Sequence, residues 1–221
     1  VQSNLLSYNA AVSATEKSRR WQCATDLLTI GAWSGLQTDV ISFNAAISAC
    51  NAGDAWKEAL EVLAELQTRS LDADIISFNS AISACEKSQR WQQALSLLAE
   101  ALQSSLKCTA VTCNACISAC ACGAAWPWAL WLFGQMTLQG LEADLTSSNA
   151  AMSACENGSQ WKQALQILVD LDGRNIQADV ISLTAAISAC AAAMRWEAVL
   201  ALMLRGEGNE ATYHAAVGAC E

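Results

Sequence analysis

The stretch VISFNAAISAC, residues 40–50, decides the fold because close copies of it recur along the chain. Within it, Phe43, Ile47 and Cys50 stand at i, i+4 and i+7, the spacing of one face of a helix. The segment WKEALEVLAEL, residues 56–66, has apolar residues at a similar helical spacing. Between them, residues 51–55 read NAGDA, which is typical of a turn. The stretch therefore predicts two helices joined by a short turn.

This helical hairpin repeats with a period of 35 residues. One marker is a tryptophan series: Trp21, Trp56, Trp91, Trp126, Trp161 and Trp196. A second marker, in the first helix, is Asn9, Asn44, Asn79, Asn114, Asn149, Thr184 and His214, with a last step of 30 residues. The predicted units are 5–39, 40–74, 75–109, 110–144, 145–179, a short unit 180–209 and a partial unit 210–221. One hairpin cannot bury both of its apolar stripes, so we expect a single stacked array over residues 1–221, an all-α, right-handed α-solenoid.

Composition and motifs exclude several classes of protein. No stretch is long and apolar enough to predict a membrane span. The chain starts VQSNLLSYNA, without the features of a signal or transit peptide, so we expect a segment of a longer protein whose targeting sequence lies elsewhere. The single histidine is His214, and no catalytic triad or glycine-rich phosphate loop can be assembled. We therefore expect neither enzyme activity nor a cofactor.

The eleven cysteines are explained by the repeat rather than by disulfides or metal. Those that recur once per unit are Cys50, Cys85, Cys120, Cys155 and Cys190. Packed helices lie roughly 10 Å apart, too far for a disulfide between equivalent positions, so these residues are expected to be buried thiols in a reducing compartment. The alternative is a zinc site at Cys113, Cys116, Cys120 and Cys122. A continuous helix does not normally wrap four ligands around zinc, so we expect no metal.

Tryptophans are expected to serve packing. The series that follows the period should fill the space between units. Trp33, Trp128 and Trp131 lie out of phase, and we expect them to pack locally within or near the second helices.

One face of the first helix is not explained by packing. Five successive units carry Asn there, although Asn is a mediocre helix former, and a branched apolar residue usually stands three positions before it. Immediately before the first helices stand Asp39, Asp74, Asp144 and Asp179, with Thr109 and Asn209 at the remaining boundaries. On physical chemistry alone these residues are helix N-caps.

The whole pattern resembles the pentatricopeptide repeat, and the resemblance covers nearly the entire chain. It implies binding of single-stranded RNA, with one base read per repeat by the fifth and last residues and packed against the second residue. The implied base-selecting pairs are Asn9 with Asp39, Asn44 with Asp74, Asn79 with Thr109, Asn114 with Asp144, Asn149 with Asp179, and Thr184 with Asn209. The implied base-packing residues are Leu6, Ile41, Ile76, Val111 and Ile181, with Thr146 as a departure.

The resemblance also implies a target and a setting. The four Asn–Asp pairs match the uracil-preferring combination, Asn79 with Thr109 should be weakly selective, and Thr184 with Asn209 matches an adenine-preferring pair. The expected target resembles 5′-UUNUUA, bound by a monomer that acts on RNA in an organelle, the plastid ahead of the mitochondrion. Lys17 and Lys87 are the expected phosphate contacts, whereas Ala52, Cys122, Asn157 and Ala192 stand at this position elsewhere.

The net charge of −9 opposes attraction to a polyphosphate. The competing hypothesis is therefore an acidic helical scaffold that binds protein partners and no RNA.

Overall fold

The computed structural model describes residues 5–33, 38–141 and 143–205, which contain twelve α-helices. The first helices of the hairpins are α1 Leu5–Lys17, α3 Val40–Ala52, α5 Ile75–Lys87, α7 Ala110–Cys122, α9 Leu145–Asn157 and α11 Val180–Ala192. The second helices are α2 Trp21–Trp33, α4 Trp56–Thr68, α6 Trp91–Gln103, α8 Trp126–Leu138, α10 Trp161–Gly173 and α12 Trp196–Arg205. The all-α fold predicted from the period is confirmed.

Aspartates start four of the first helices. Asp39, for example, has extended backbone angles of φ −107° and ψ 173°, and its side chain accepts the Ser42 N–H. The same geometry recurs at Asp74, Asp144 and Asp179, which precede α5, α9 and α11. A carboxylate in this place satisfies an amide that the helix leaves unpaired and suits the helix dipole. The expected capping role of these residues is confirmed.

Left-handed residues occur in the turns inside the hairpins and in the links between hairpins that the structure describes. The turns inside the hairpins place Arg19, Asp54, Gln89, Ala124, Ser159 and Met194 at φ between 52° and 56°. After the second helices, Ser70, Ser105, Gly140 and Asn175 take φ between 56° and 72°. Most of these residues are not glycine, so the hairpin geometry holds them in a conformation that L-residues rarely adopt.

Gly53 meets a different requirement. Its φ is −97°, which any residue adopts, but the Trp21 ring occupies the space where a Cβ atom would lie. The glycine therefore permits the close approach of a tryptophan from the preceding repeat.

The chain divides into two compact units, residues 1–115 and 116–221. In the first unit, α1, α3 and α5 pack side by side, and α2 and α4 each contact both their own first helix and the next one. The core between these layers contains Phe43, Ile47, Leu66, Phe78 and Ile82, all buried. Each hairpin thus buries one stripe in its own partner helix and another in its neighbour.

The second unit repeats this packing. Helices α9 and α11 lie side by side, while α8 and α10 contact α9, and α10 and α12 contact α11. Its largest buried side chains are Met136, Met152, Leu168, Leu171 and Ile187. Small residues such as Ala154 and Cys155 are fully buried where the first helices meet. These small residues allow the helices to approach closely.

Two of the periodic tryptophans, Trp56 and Trp161, contact the following repeat, as predicted. The Arg90 guanidinium lies 5.0 Å from the centre of the Trp56 ring, and Arg195 lies 4.8 Å from Trp161. These distances are typical of cation–π contacts. Trp196, in α12, is instead 54% exposed.

Of the tryptophans outside the period, Trp33 does not pack as expected, whereas Trp128 and Trp131 contact each other locally. Trp33 is 92% exposed, so the prediction of local packing is wrong for this residue. Trp128 and Trp131 are about half exposed and contact each other edge to face, with ring centroids 5.9 Å apart. They stand three positions apart on α8, which places both rings on the same side of the helix at the surface.

The periodic cysteines Cys50, Cys85, Cys120, Cys155 and Cys190 are buried, as predicted, and all five are free thiols. Burial raises the pKa of Cys155 to about 12 and that of Cys85 to about 11. Of the four cysteines considered for zinc, Cys122 alone is exposed. Among the described residues, no group of three or more His, Cys, Asp or Glu is arranged to hold a metal ion. None of the described helices combines the length and apolarity needed to span a membrane.

Candidate functional site

The asparagines of the first helices bond to the aspartates that end the same repeats. The distances from the amide nitrogen to the two carboxylate oxygens are 3.2 and 3.2 Å for Asn9 and Asp39, 3.1 and 3.2 Å for Asn44 and Asp74, and 3.3 and 3.2 Å for Asn149 and Asp179. An ionised carboxylate only accepts hydrogen bonds, so the amide nitrogen and not the oxygen must face it. The fifth and last residues of these repeats are therefore held in one orientation.

A serine from the next repeat completes the arrangement. The hydroxyls of Ser42, Ser77 and Ser182 lie 2.5 Å from the amide oxygens of Asn9, Asn44 and Asn149. The backbone N–H of each serine also donates to the aspartate, at 3.0, 2.9 and 2.8 Å respectively. We refer to Asn9–Asp39–Ser42, Asn44–Asp74–Ser77 and Asn149–Asp179–Ser182 as the Asn–Asp–Ser clusters. Each joins two consecutive repeats.

The clusters hold their carboxylates in the charged form. Burial by itself raises the pKa of Asp39, but hydrogen bonds from the Ser42 N–H and hydroxyl and from Asn9 outweigh it and lower the pKa. The same balance lowers the pKa of Asp74 and Asp179. Donors to a carboxylate favour its ionised form, so these aspartates are negative at neutral pH.

The repeat that carries Asn79 lacks the carboxylate. Thr109 stands in its place, with its hydroxyl 3.1 Å from that of Thr112, and Thr112 donates to the Asn79 amide oxygen at 2.7 Å. The oxygen of Asn79 is thus held as in the clusters. Its nitrogen has no hydrogen-bonding partner within the described part of the chain.

Three further predicted base-selecting residues lie in the described part of the chain. Asn114 is half-buried on α7, and Asp144 is exposed and accepts the Ser147 N–H at 2.8 Å. Thr184 donates to the carbonyl of Val180 in its own helix at 2.7 Å, so its hydroxyl is not aligned by a neighbouring repeat. Asn209 and His214 lie outside the described residues.

Branched apolar side chains are exposed beside the asparagines. The exposed fractions are 62% for Ile41, 59% for Ile76, 64% for Val111 and 60% for Ile181. Each stands three residues before the polar residue on the same helix face. Thr146 is also exposed, and the side chain of Leu6 lies outside the described part of the structure. The predicted base-packing residues that can be described are therefore accessible.

The two lysines predicted to contact phosphate are exposed, and one of them, Lys87, already makes a hydrogen bond within the protein. Lys17 and Lys87 lie in the last turns of α1 and α5. The Lys87 ammonium donates to the backbone carbonyl of Asn51 at 3.0 Å. Asn157, which occupies the equivalent position in its repeat, donates to the carbonyl of Ala121 at 2.9 Å. Side chains at this position thus help to cap the first helix of the preceding repeat.

Carboxylates share this helix face with the asparagines. Glu16, seven residues after Asn9, accepts the Ser48 hydroxyl at 2.7 Å. Glu156 stands in the same relation to Asn149, and burial raises its pKa although a hydrogen bond from Ser188 opposes this. The negative electrostatic potential of carboxylates on this face repels an anionic ligand.

The serines of the clusters are the residues that sequence reasoning missed. Hydroxyl residues occupy the third position of every unit: Ser7, Ser42, Ser77, Thr112, Ser147, Ser182 and Thr212. The five from Ser42 to Ser182 are fully buried. The signal was present in the period, because a buried position that needs only packing would not require a hydroxyl in every unit.

Solved structures of similar fold include the pentatricopeptide repeat protein PPR10 from maize, with a TM-score of 0.69, 21% identity and coverage of 98% of this chain and 32% of that one. PPR10 in complex with an 18-nucleotide psaJ RNA element gives a TM-score of 0.71 at 18% identity, and the match covers 97% of this chain and 31% of PPR10. The PPR domain of Arabidopsis thaliana protein-only RNase P 1 in complex with tRNA gives a TM-score of 0.67 at 12% identity. The match covers 79% of this chain and 94% of that domain. The chain thus spans about a third of the length of maize PPR10. No curated protein sequence matches it.

The helices and these likenesses define an all-α solenoid of helical-hairpin repeats. The family description "pentatricopeptide repeat domain" matches residues 32–88, and "PPR repeat" matches residues 76–106 and 111–141. The chain belongs to the pentatricopeptide repeat family.

Proposed function

We propose that this chain binds single-stranded RNA with one base per repeat and a preference for a uracil-rich sequence near 5′-UUNUUA, the N-terminal repeat lying toward the 5′ end. The observation that carries the proposal is the Asn–Asp pairing that recurs on the first helices beside an exposed branched side chain. From the family resemblance, we also propose that this binding acts in organellar RNA processing, stability or translation.

The chemistry of the amide supports base recognition. An Asn side chain has two N–H donors and an oxygen with two lone pairs. In the clusters, one N–H faces the aspartate and one lone pair faces the serine. One donor and one acceptor therefore remain on each amide for the edge of a base. Because the clusters fix the amide, a base would not have to order it on binding.

The exposed branched residues support contact with base faces. Ile41 and Ile76 are more than half exposed, which is unfavourable in water unless a ligand covers them. In a strand that is spread along the repeats, apolar side chains between successive bases would replace part of the stacking that the bases lose.

Known structures support the ligand class. PPR10 and the PPR domain of protein-only RNase P 1 are described in complex with RNA. These proteins share the fold of this chain at low identity, so base preference here rests on the chain's own side chains.

The test is a titration of the purified chain with labelled U-rich single-stranded RNA and a C-rich strand of equal length at low salt. We expect tighter binding to the U-rich strand. Replacing Asn44 and Asn114 together with Ala should weaken U-rich binding roughly thirtyfold, because losing one hydrogen bond at each position costs about 1 kcal/mol.

The matched control is Asn51→Ala. This residue lies on the same helix as Asn44, and other repeats carry Ala121 and Ala191 at its position. It should leave the U-over-C ratio unchanged. Equal binding of both strands by the unmodified chain would contradict the proposal.

The charge of the chain favours a second candidate. With a net charge of −9 and with Glu16 and Glu156 on the asparagine face, the chain is suited to a protein partner rather than a polyphosphate. The same titration separates the two functions, since an acidic scaffold would bind neither strand at low salt.

A further inference from the structure

We propose that the hydroxyl residue at the third position of the following repeat is a third base-selecting element, acting as a positioning residue on the asparagine. This inference rests on the proposed function, because it concerns how a repeat distinguishes uracil from cytosine. The residues are Ser42, Ser77 and Ser182 in the Asn–Asp–Ser clusters, and Thr112 beside Asn79.

The first step is that the amide has two anchors of different chemistry. The Asn44 nitrogen donates to Asp74 at 3.1 and 3.2 Å, and the Asn44 oxygen accepts from Ser77 at 2.5 Å. The aspartate determines which amide atom faces it, since a carboxylate accepts and cannot donate. With this anchor alone the amide could still tilt about its last torsion, which is broad for Asn. The serine removes that freedom.

The second step concerns the bases. Uracil offers N–H at its ring N3 between two carbonyl oxygens, whereas cytosine offers an acceptor at N3 beside an amino donor. At N3 and at the C4 substituent their donors and acceptors are exchanged, so an amide held in one orientation distinguishes the two bases and a mobile amide tolerates both. The discrimination therefore depends on how firmly both amide atoms are held.

The third step compares this role with helix capping. Asp74 caps α5 by accepting the backbone N–H of Ser77 at 2.9 Å. An alanine at position 77 keeps that N–H and loses the hydroxyl. The hydroxyl lies 2.9 Å from Asp74 as well as 2.5 Å from the Asn44 oxygen, but it has one proton, and the amide oxygen is the nearer acceptor. The hydroxyl also accepts the Asp74 backbone N–H at 3.3 Å, which is the second bond of a capping box. Ser77→Ala therefore removes this cap contact together with the anchor on the asparagine, and only the loss of the anchor changes the base preference at one nucleotide.

The chain supplies its own conservative variant. Thr112 occupies the equivalent place one repeat later, is fully buried and donates to the Asn79 oxygen at 2.7 Å. The extra methyl group of threonine is thus accommodated at this position. Ser77→Thr should retain the anchor that Ser77→Ala removes.

The experiment compares Ser77→Ala, Ser77→Thr and a control, Ser80→Ala, in the whole chain. Ser80 lies on the same helix as Ser77, and equivalent positions carry Ala45 and Ala150. The RNAs carry U or C at the first or the second nucleotide of the six-nucleotide target. In Ser77→Ala we expect the preference for U over C at the second nucleotide, which faces Asn44, to fall about three- to tenfold, the effect of one hydrogen bond. The preference at the first nucleotide should stay the same, and Ser77→Thr should restore the wild-type ratio.

A second measurement needs no RNA. In protein labelled with ¹⁵N at asparagine, the side-chain NH₂ signals of Asn44 should shift in Ser77→Ala, return toward their original position in Ser77→Thr and stay in place in Ser80→Ala. A residue with a purely structural role would lower the melting temperature and weaken binding equally for both bases and both nucleotides.

The outcomes separate this inference from the proposed function. If the unmodified chain does not prefer U, the proposed function fails, and the inference fails with it. If the unmodified chain prefers U and Ser77→Ala retains that preference in full, the inference is overturned while the proposed function stands. Unchanged Asn44 signals in Ser77→Ala would likewise overturn it.

Discussion

A single aspartate in each Asn–Asp–Ser cluster serves three groups at once. Asp74 caps α5 through the Ser77 N–H, accepts from the Asn44 amide and lies against the Ser77 hydroxyl. The sequence alone supported the capping role, and family resemblance supported the pairing with asparagine. The geometry makes the two compatible, because a carboxylate has enough lone pairs for several donors.

The pH dependence of stability follows from the lowered pKa of these aspartates. Their ordinary pKa is 3.8, and in the fold it lies below that value. A carboxyl group of this kind stabilises the fold above its ordinary pKa, and the stabilisation is lost as the pH falls through the lowered value. We expect Asp74→Asn to reduce the free energy of unfolding by about 1 kcal/mol at pH 7, and the difference from the unmodified chain to shrink toward pH 2.

Urea denaturation at several pH values measures this effect. The control is Asp72→Asn, an exposed residue two positions away. It removes a carboxylate outside the clusters, and we expect it to change the free energy of unfolding little. A difference for Asp74→Asn that stays constant down to pH 2 would show that the carboxylate of Asp74 is not held as described.

At the scale of the helices, two glycines differ in the space around them. At Gly53, which ends α3, the Trp21 ring fills the place of a Cβ atom, whereas a Cβ atom at Gly134, inside α8, would meet open space. Gly53→Ala should destabilise the protein by about 1 to 3 kcal/mol through overpacking. Gly134→Ala should stabilise it by about 0.5 to 1 kcal/mol, because alanine is the better helix residue.

Chemical denaturation of the two variants beside the unmodified chain tests the pair. Each is a Gly→Ala change, so effects on the unfolded chain are matched and the difference between them reports the local space. A stabilising effect of Gly53→Ala would mean that Trp21 can move aside at little cost.

Sequence reasoning could predict the helices and most of the polar face because both depend on periodicity. Ile47, for example, stands at a position that is apolar in every hairpin, and a recurring apolar position of this kind is buried by stacking. Trp33 was predicted incorrectly because it stands outside the period, where spacing says nothing about its neighbours. The left-handed residue Asp54 could not be identified either, since non-glycine residues rarely adopt that conformation.

Ser77 was missed for a different reason. Hydrogen bonds between repeats join residues 33 positions apart, such as Ser77 and Asn44, and no pattern within one repeat reveals them. Only the recurrence of a hydroxyl in every unit pointed to a shared polar partner.

For the molecule as a whole, the acidic charge limits how RNA could be held. Lys17 and Lys87 are the two lysines at the predicted phosphate position, and Lys87 already donates to Asn51. The contribution of phosphate contacts to RNA affinity would therefore be small. Binding by this chain would depend on base edges and base faces more than on the backbone of the RNA, which makes base preference the informative measurement.

The repeat with Asn79 offers the sharpest test of that preference, because it lacks one member of the cluster. Asn79 already has its oxygen held by Thr112, and Thr109 stands where the other clusters have aspartate. Thr109→Asp should complete the cluster, so the third nucleotide of the target changes from weakly selective to uracil-preferring. We expect a U-over-C ratio at this nucleotide that rises about three- to tenfold, measured with strands that differ only there.

The matched change is Thr109→Asn, which can also cap α7 but brings no negative charge. We expect no gain in uracil preference at the third nucleotide. The side-chain amide of the introduced asparagine can either donate or accept a hydrogen bond, so it permits both orientations of the Asn79 amide. A gain of preference with Asn equal to that with Asp would mean that the charge of the last residue is irrelevant to base choice. No gain with Asp, in a chain that prefers U at the second nucleotide, would mean that a complete cluster is not sufficient to select a base.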